Sequence, residues 1–224
     1  MNNINLSNSG LALFVFSSRY NNFSGQDFSE SNLSGLELSG DFTNTNFTNA
    51  NLEGATFYGA NFDGAKLEGA NLRDTTIRHT SLRGTILRGA DLAGAYLRKA
   101  DLRDAYLNTA NLESTDLRGT DLRGAKLRGA ILYNAYLTKA NLRDADLTGA
   151  YLGRTNLRDA YLTDANLTNA NLIGANFTRA NLTRVVLKDA KIVATNFTRA
   201  NITGMDLGTA LCITNTNFTN VITN

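Results

Sequence analysis

The chain has 224 residues, with 22 basic and 20 acidic side chains, one His, one Cys and no Pro or Trp, for a net charge of +2. A single Cys excludes an intramolecular disulfide framework, and beside one His it leaves no His/Cys constellation for a metal. The length suits one domain with a sizeable core.

Residues 1–20 contain the longest apolar run, Leu11-Ala12-Leu13-Phe14-Val15-Phe16. It is too short to cross a bilayer, and the basic stretch and cleavage pattern of a signal peptide are missing. The segment is expected to form an N-terminal cap, with the apolar run as its lid. Phe23, Phe28, Leu33 and Leu38 then recur every fifth position, and the step from Leu38 to Phe42 is four residues. From Phe42 to Leu207, 34 consecutive centres keep phase, and each is Leu, Ile or Phe. Two positions before each centre stands Ala or Thr, as at Ala50, Ala55, Thr75 and Thr115; Val185 and Met205 are larger and Gly40 is smaller. Cys212 holds the phase, Phe218 arrives six residues later, and residues 213–224 are expected to be a C-terminal cap or tail.

A period of five fits neither regular element. Five helical steps rotate a side chain by ~140°, and five strand steps put successive centres on opposite faces. The pattern is buried only if each quintet is a short extended piece followed by a corner, so that the chain coils around its own apolar residues. No single unit buries its apolar face, and stacking of units creates the core.

The unit A-[N/D]-L-x-x, as in Ala50-Asn51-Leu52, Ala100-Asp101-Leu102 and Ala170-Asn171-Leu172, resembles that of the pentapeptide repeat proteins over residues 21–212. The resemblance implies an all-β fold, a right-handed quadrilateral parallel β-helix with four pentapeptides per coil and about nine or ten coils. Coils ~4.8 Å apart make a rod about 45 Å long. The four-residue step between Leu38 and Phe42 is best absorbed at a corner. Caps are expected at 1–20 and 213–224, because terminal coils otherwise expose core and unpaired strand edges.

No catalytic constellation emerges, and neither enzymatic activity nor a cofactor is expected. His79 stands two residues after a centre, an outward position, with no second His or Cys near it in the repeat. Cys212 stands at a centre, so its thiol is expected in the core. Nearly all Asp residues occur one before or two after a centre, where solvation or corner hydrogen bonds account for them. Glycines such as Gly54, Gly59, Gly64 and Gly69 follow the repeat and suit corner geometry; no strand-to-helix junction follows them to form a phosphate loop.

With four units per coil, residues 20 apart share a face, and the outward positions can be sorted. The face centred on Phe57, Leu97, Leu137 and Phe197 carries Arg78, Arg98, Lys99, Arg118, Lys139, Arg158, Arg179 and Arg199 against Asp116 and Asp159, a balance of +6. It is a candidate surface for an anionic partner. The next face, centred on Leu102 and Leu122, carries an Arg column interleaved with carboxylates, as expected of a solvated charge lattice. The face centred on Leu132, Leu152, Leu172, Ile192 and Cys212 presents Ile131, Tyr133, Tyr151, Ile173, Val193, Leu211 and Ile213 outward, a candidate apolar interface. Residues 1–70 hold two basic and seven acidic side chains and residues 71–140 hold twelve and seven, so the rod is acidic at its start and basic in its middle.

These features predict a non-enzymatic interaction or scaffold solenoid in the cytoplasm. A protein partner is expected, a homodimer is among the options, and neither a membrane nor, in the main reading, nucleic acid is. Two alternatives stand beside it: a DNA mimic that modulates DNA gyrase or topoisomerase, as the resemblance suggests, and anionic-partner binding through the basic face. The missing acidic surface, the uninterrupted array and the want of an evident C-terminal helix speak against the first.

Overall fold

The computed structural model describes residues 22–223; the expected N-terminal cap, with Leu11–Phe16, lies outside them. Each quintet uses one local conformation. The residue before the centre pairs in parallel with its equivalent one coil on, as in Asp101↔Asp121 and Tyr136↔Asn156. The centre points inward, and the two residues after it make a turn closed by a hydrogen bond from the N–H three residues on to the centre's carbonyl, as from Ala100 to Leu97 at 3.0 Å. The third turn position is left-handed, with φ of 57° at Lys99 and 67° at Gly119. Glycine suits it, and the strain on a residue such as Lys99 is held by the surrounding ladder.

The one-before position is mostly Asn or Asp because its side-chain oxygen accepts the N–H two residues on, which primes the turn. Asn176, Asn181 and Asn196 do this at 2.9–3.1 Å, and the following Thr adds its hydroxyl to the same oxygen at 2.6–2.7 Å.

From Asp41 to Asn201 every bridge joins residues 20 apart, so each coil is four quintets and the section is four-sided. The centres and the small residues two before them fill the interior, and Leu97, Leu117, Leu137 and Ala140 are at most 1% exposed. Thr in the small position is satisfied internally: Thr115, Thr155 and Thr195 donate to the carbonyls of Leu92, Leu132 and Leu172 in the preceding coil at 2.7–2.9 Å. Equal rings stack along the axis, with Phe177 and Phe197 5.2 Å apart and 6° from parallel. The residual void beside Phe57, Ile77 and Leu92 is about 10 Å³, too small for a ligand.

The first irregular step occurs where the spacing predicts it, and the second lies ahead of Cys212 instead of between Cys212 and Phe218. Bridges in the first coil join residues 19 apart, as in Asp27↔Asn46, and the missing residue is absorbed at the bend around Gly40, whose φ is 123°. At the other end one residue is inserted. The first strand, β1 (Lys191–Val193), pairs with β2 (Cys212–Thr214), Lys191 opposite Cys212 and Ile192 opposite Ile213, 21 apart. A one-residue slip exchanges inside and outside. Cys212, expected in the core, therefore stands in file with outward Lys191, its sulfur 4.0 Å from the Thr214 hydroxyl, and Ile213 stands below inward Ile192.

Residues 213–223 continue the winding. Phe218 stacks on Phe197 at 5.2 Å, and Ile222 pairs with Asn201. Leu207, Phe218 and Val221 are only partly buried, and the one helical turn among the described residues is the 3-10 segment Leu207–Thr209.

Candidate interaction surfaces

The basic face carries its cations on two scaffolds. Asp116 is 6% exposed and receives both Nε (2.7 Å) and Nη2 (2.6 Å) of Arg118, with Arg98 at 4.0 Å on its other side. Asp159 receives Arg179 through both nitrogens at 2.6–2.7 Å, with Arg158 at 3.6 Å. Four of the eight cations are thus tied to the face's two carboxylates. Arg78 lies over the Tyr96 ring at 5.7 Å. Lys99, Lys139 and Arg199 make no ion pair among the described residues.

Burial on its own raises the pKa of Asp116, yet the hydrogen bonds and charge of Arg118, with Arg98 behind it, outweigh burial and hold it below the ordinary carboxylate value. A carboxyl with a depressed folded pKa contributes stability above its unfolded pKa of about 4 and loses it as pH falls through the lower folded value. Asp116→Asn keeps the acceptor for the Arg118 N–H, the role Asn156 plays for Arg158 at 3.2 Å. It is expected to cost about 1 kcal/mol at pH 7, small because Arg118 is half in solvent. The difference from the parent should shrink as pH falls below about 4 and vanish once pH is under the folded pKa of Asp116, as urea titrations at pH 7 and across the acid range will read.

The neighbouring face is a charge lattice. Arg103 bridges Asp101 (2.5 Å) and Asp121 (3.8 Å), Arg123 binds Asp121 at 2.6 Å, and Arg184 binds Asp164 at 2.6 Å. Stacked guanidinium groups alternate with carboxylates, and little net field remains.

The apolar face is built differently. Ile131, Tyr151, Ile173, Leu211 and Ile213 are all exposed, by 39–63%, while Tyr133 and Val193 are half-buried. Ile213, expected to face outward here, stands instead in the inward file of Ile192, and its exposure is that of the open last coil, so it is not part of this face. A shallow groove of about 660 Å³ runs along the face between Ile131, Tyr133, Tyr151, Gly153 and Ile173, with Glu113, Arg154 and Asn171 on its margins. Gly153 escaped the sequence reading. Its φ is not left-handed, so the backbone does not call for glycine there. A Cβ at Gly153 would stand 3.1 Å from Cδ2 of Tyr133: the missing side chain lets the Tyr133 ring lie down on the sheet, with the Arg154 guanidinium 5.8 Å from its centroid. The signal was available, because Gly153 and Gly208 are the two glycines directly after a centre between Phe42 and Leu207.

Among the described residues no group of three His, Cys, Asp or Glu side chains is arranged to hold a metal, and no helix is long and apolar enough to cross a membrane. His79 is exposed in a left-handed turn position, 6.1 Å from the Tyr58 ring.

Comparison with known proteins places this geometry. A family model described as pentapeptide repeats (8 copies) matches residues 41–74, 77–113, 105–144, 140–179 and 160–204. No curated protein sequence matches. Among solved structures, the chain is similar to HetL, a pentapeptide repeat protein involved in heterocyst differentiation regulation from the cyanobacterium Nostoc sp. strain PCC 7120. The TM-score is 0.70 at 27% identity, over 95% of this chain and 92% of HetL. It is also similar in fold to QnrB1, a plasmid-mediated fluoroquinolone resistance protein, with a TM-score of 0.59 at 19% identity over 89% and 88% of the two chains. Matched over most of its length by the repeat model and wound as a right-handed parallel β-helix, the chain belongs to the pentapeptide repeat family.

Proposed function

We propose that the protein is a non-enzymatic, cytoplasmic scaffold that binds another protein through its apolar face. The supporting observation is the cluster of outward apolar side chains Ile131, Tyr151 and Ile173, with half-buried Tyr133 and Val193, on a flat, rigid sheet, whereas the lattice face on the opposite side of the rod is laced with ion pairs. The largest apolar patch on a soluble protein is often a contact site. Similarity to HetL, a protein involved in regulation, supports a role in recognition over one in chemistry. Imitation of DNA needs a strongly negative surface, whereas residues 71–140 carry twelve basic against seven acidic side chains. Binding of an anionic partner is weakened by the Asp116 and Asp159 pairs.

The test is photo-crosslinking. A benzoylphenylalanine at Ile173, with the chain at nanomolar concentration in lysate of the source cells, is expected to yield a discrete protein adduct, and the same group at Thr163 on the lattice face is not. No adduct at Ile173, or equal adducts at both positions, overturns the reading.

A further inference from the structure

We infer that the apolar face also receives a second copy of this chain, packed face to face with the two rods antiparallel. The inference deepens the scaffold reading by naming one occupant of the same surface. Its first ground is the relief of the face. The Tyr133 ring lies flat over Gly153, and one rung further on Ile173 stands out as a knob, 42% exposed, followed by Val193 in the same column. A twofold axis along the strand direction, passing between the rungs of Gly153 and Ile173, keeps each column opposite itself and reverses the order of the rungs. Ile173 then meets the Tyr133 ring where it covers Gly153 of the partner subunit, and Val193 meets the partner's Tyr133. Each contact occurs twice, as a closed dimer requires.

The second ground is charge. Glu113 lies at one end of the groove and Lys191 toward the other, and neither makes an ion pair among the described residues. In the antiparallel arrangement Lys191 faces Ile131 of the partner subunit, and the partner's Glu113 lies one rung (~4.8 Å) along the rod and two residues (~6.6 Å) along the strand from that point, within reach of two long side chains. A parallel arrangement would set both Glu113 side chains on one shared rung and both Lys191 side chains on another. Opposite charges thus select the antiparallel order. The third ground is area. Six rungs of ~4.8 Å by a face ~13 Å wide give roughly 350 Å² per partner, under half of the ~800 Å² of a stable interface. The dimer is therefore weak.

Sedimentation equilibrium of the full chain in reductant, from about 5 to 500 μM, is expected to show the mass rising from 24.2 kDa toward twice that value. Ile173→Lys should weaken association at least ~10-fold. Gly153→Ala, which must lift the Tyr133 ring by a few tenths of an ångström from its seat, should weaken it while leaving circular dichroism and the unfolding midpoint close to the parent's. Glu113→Lys should weaken it, and adding Lys191→Glu should restore it. A monomer mass throughout, or a dimer untouched by Ile173→Lys, overturns the inference; failure of the double exchange to restore association overturns the antiparallel order. The crosslinking test is run at nanomolar concentration, where this dimer is not populated. A monomeric protein that still yields the Ile173 adduct therefore sinks the dimer alone, and a dimer without lysate adducts sinks the scaffold reading alone.

Discussion

Replacing Leu137 with Ala is expected to lower stability by about 3–4 kcal/mol, the upper range for a buried Leu truncation. Leu137 is fully buried in mid-rod, in file with Leu117 and Leu157 one coil to either side. Its backbone is clamped by bonds to Asn156 and from Ala140 at 2.8 and 3.0 Å, so the site cannot collapse to fill the cavity. The same truncation at Leu207, half-buried at the open end of the rod, should cost about 1 kcal/mol, because solvent already takes the place of a neighbouring coil. The comparison also probes cooperativity. In a stack where each coil touches only its neighbours, loss at Leu137 divides the rod and loss at Leu207 frays it. Urea denaturation followed by hydrogen exchange of the amides in residues 120–160 distinguishes the two. Equal costs at both positions would mean that the last coil is covered in solution.

The second large effect is overpacking. Ala140→Leu should destabilise by about 3 kcal/mol, the top of the range for inserted methylenes. Ala140 is fully buried, its N–H is bonded to Leu137 and its carbonyl accepts from Tyr161, so its Cβ is aimed into the core by backbone that cannot yield. The natural exceptions show where room exists. Val185 and Met205 are successive members of one file, and Met205, in the open last coil, is only partly buried. Val185→Leu should therefore cost less than about 1 kcal/mol, and a urea midpoint for Ala140→Leu equal to the parent's would refute the rigidity of the corner.

Much of the molecule was legible in the residues. A strict period of five cannot be buried by a helix or a continuous strand, so the centres from Phe42 to Leu207 dictate a coil, its inside and its faces. The irregular steps at Gly40 and before Phe218 were visible as breaks in phase, and the apolar column appeared once residues 20 apart were aligned.

What only the tertiary structure decided is how neighbouring coils meet. The residue added before Phe218 is taken up around the 3-10 turn Leu207–Thr209, ahead of β2, and the resulting slip turns Cys212 outward and sets Ile213 under Ile192. Counting by fives from the regular array puts them the other way round. Outward side chains choose among partners on several adjacent rungs by reach and rotamer. The sequence therefore shows eight cations on one face, but not that Asp116 and Asp159 would gather four of them. The same holds for Gly153, whose role lies in the Tyr133 ring from the coil before, brought over it by winding 20 residues of chain around the core.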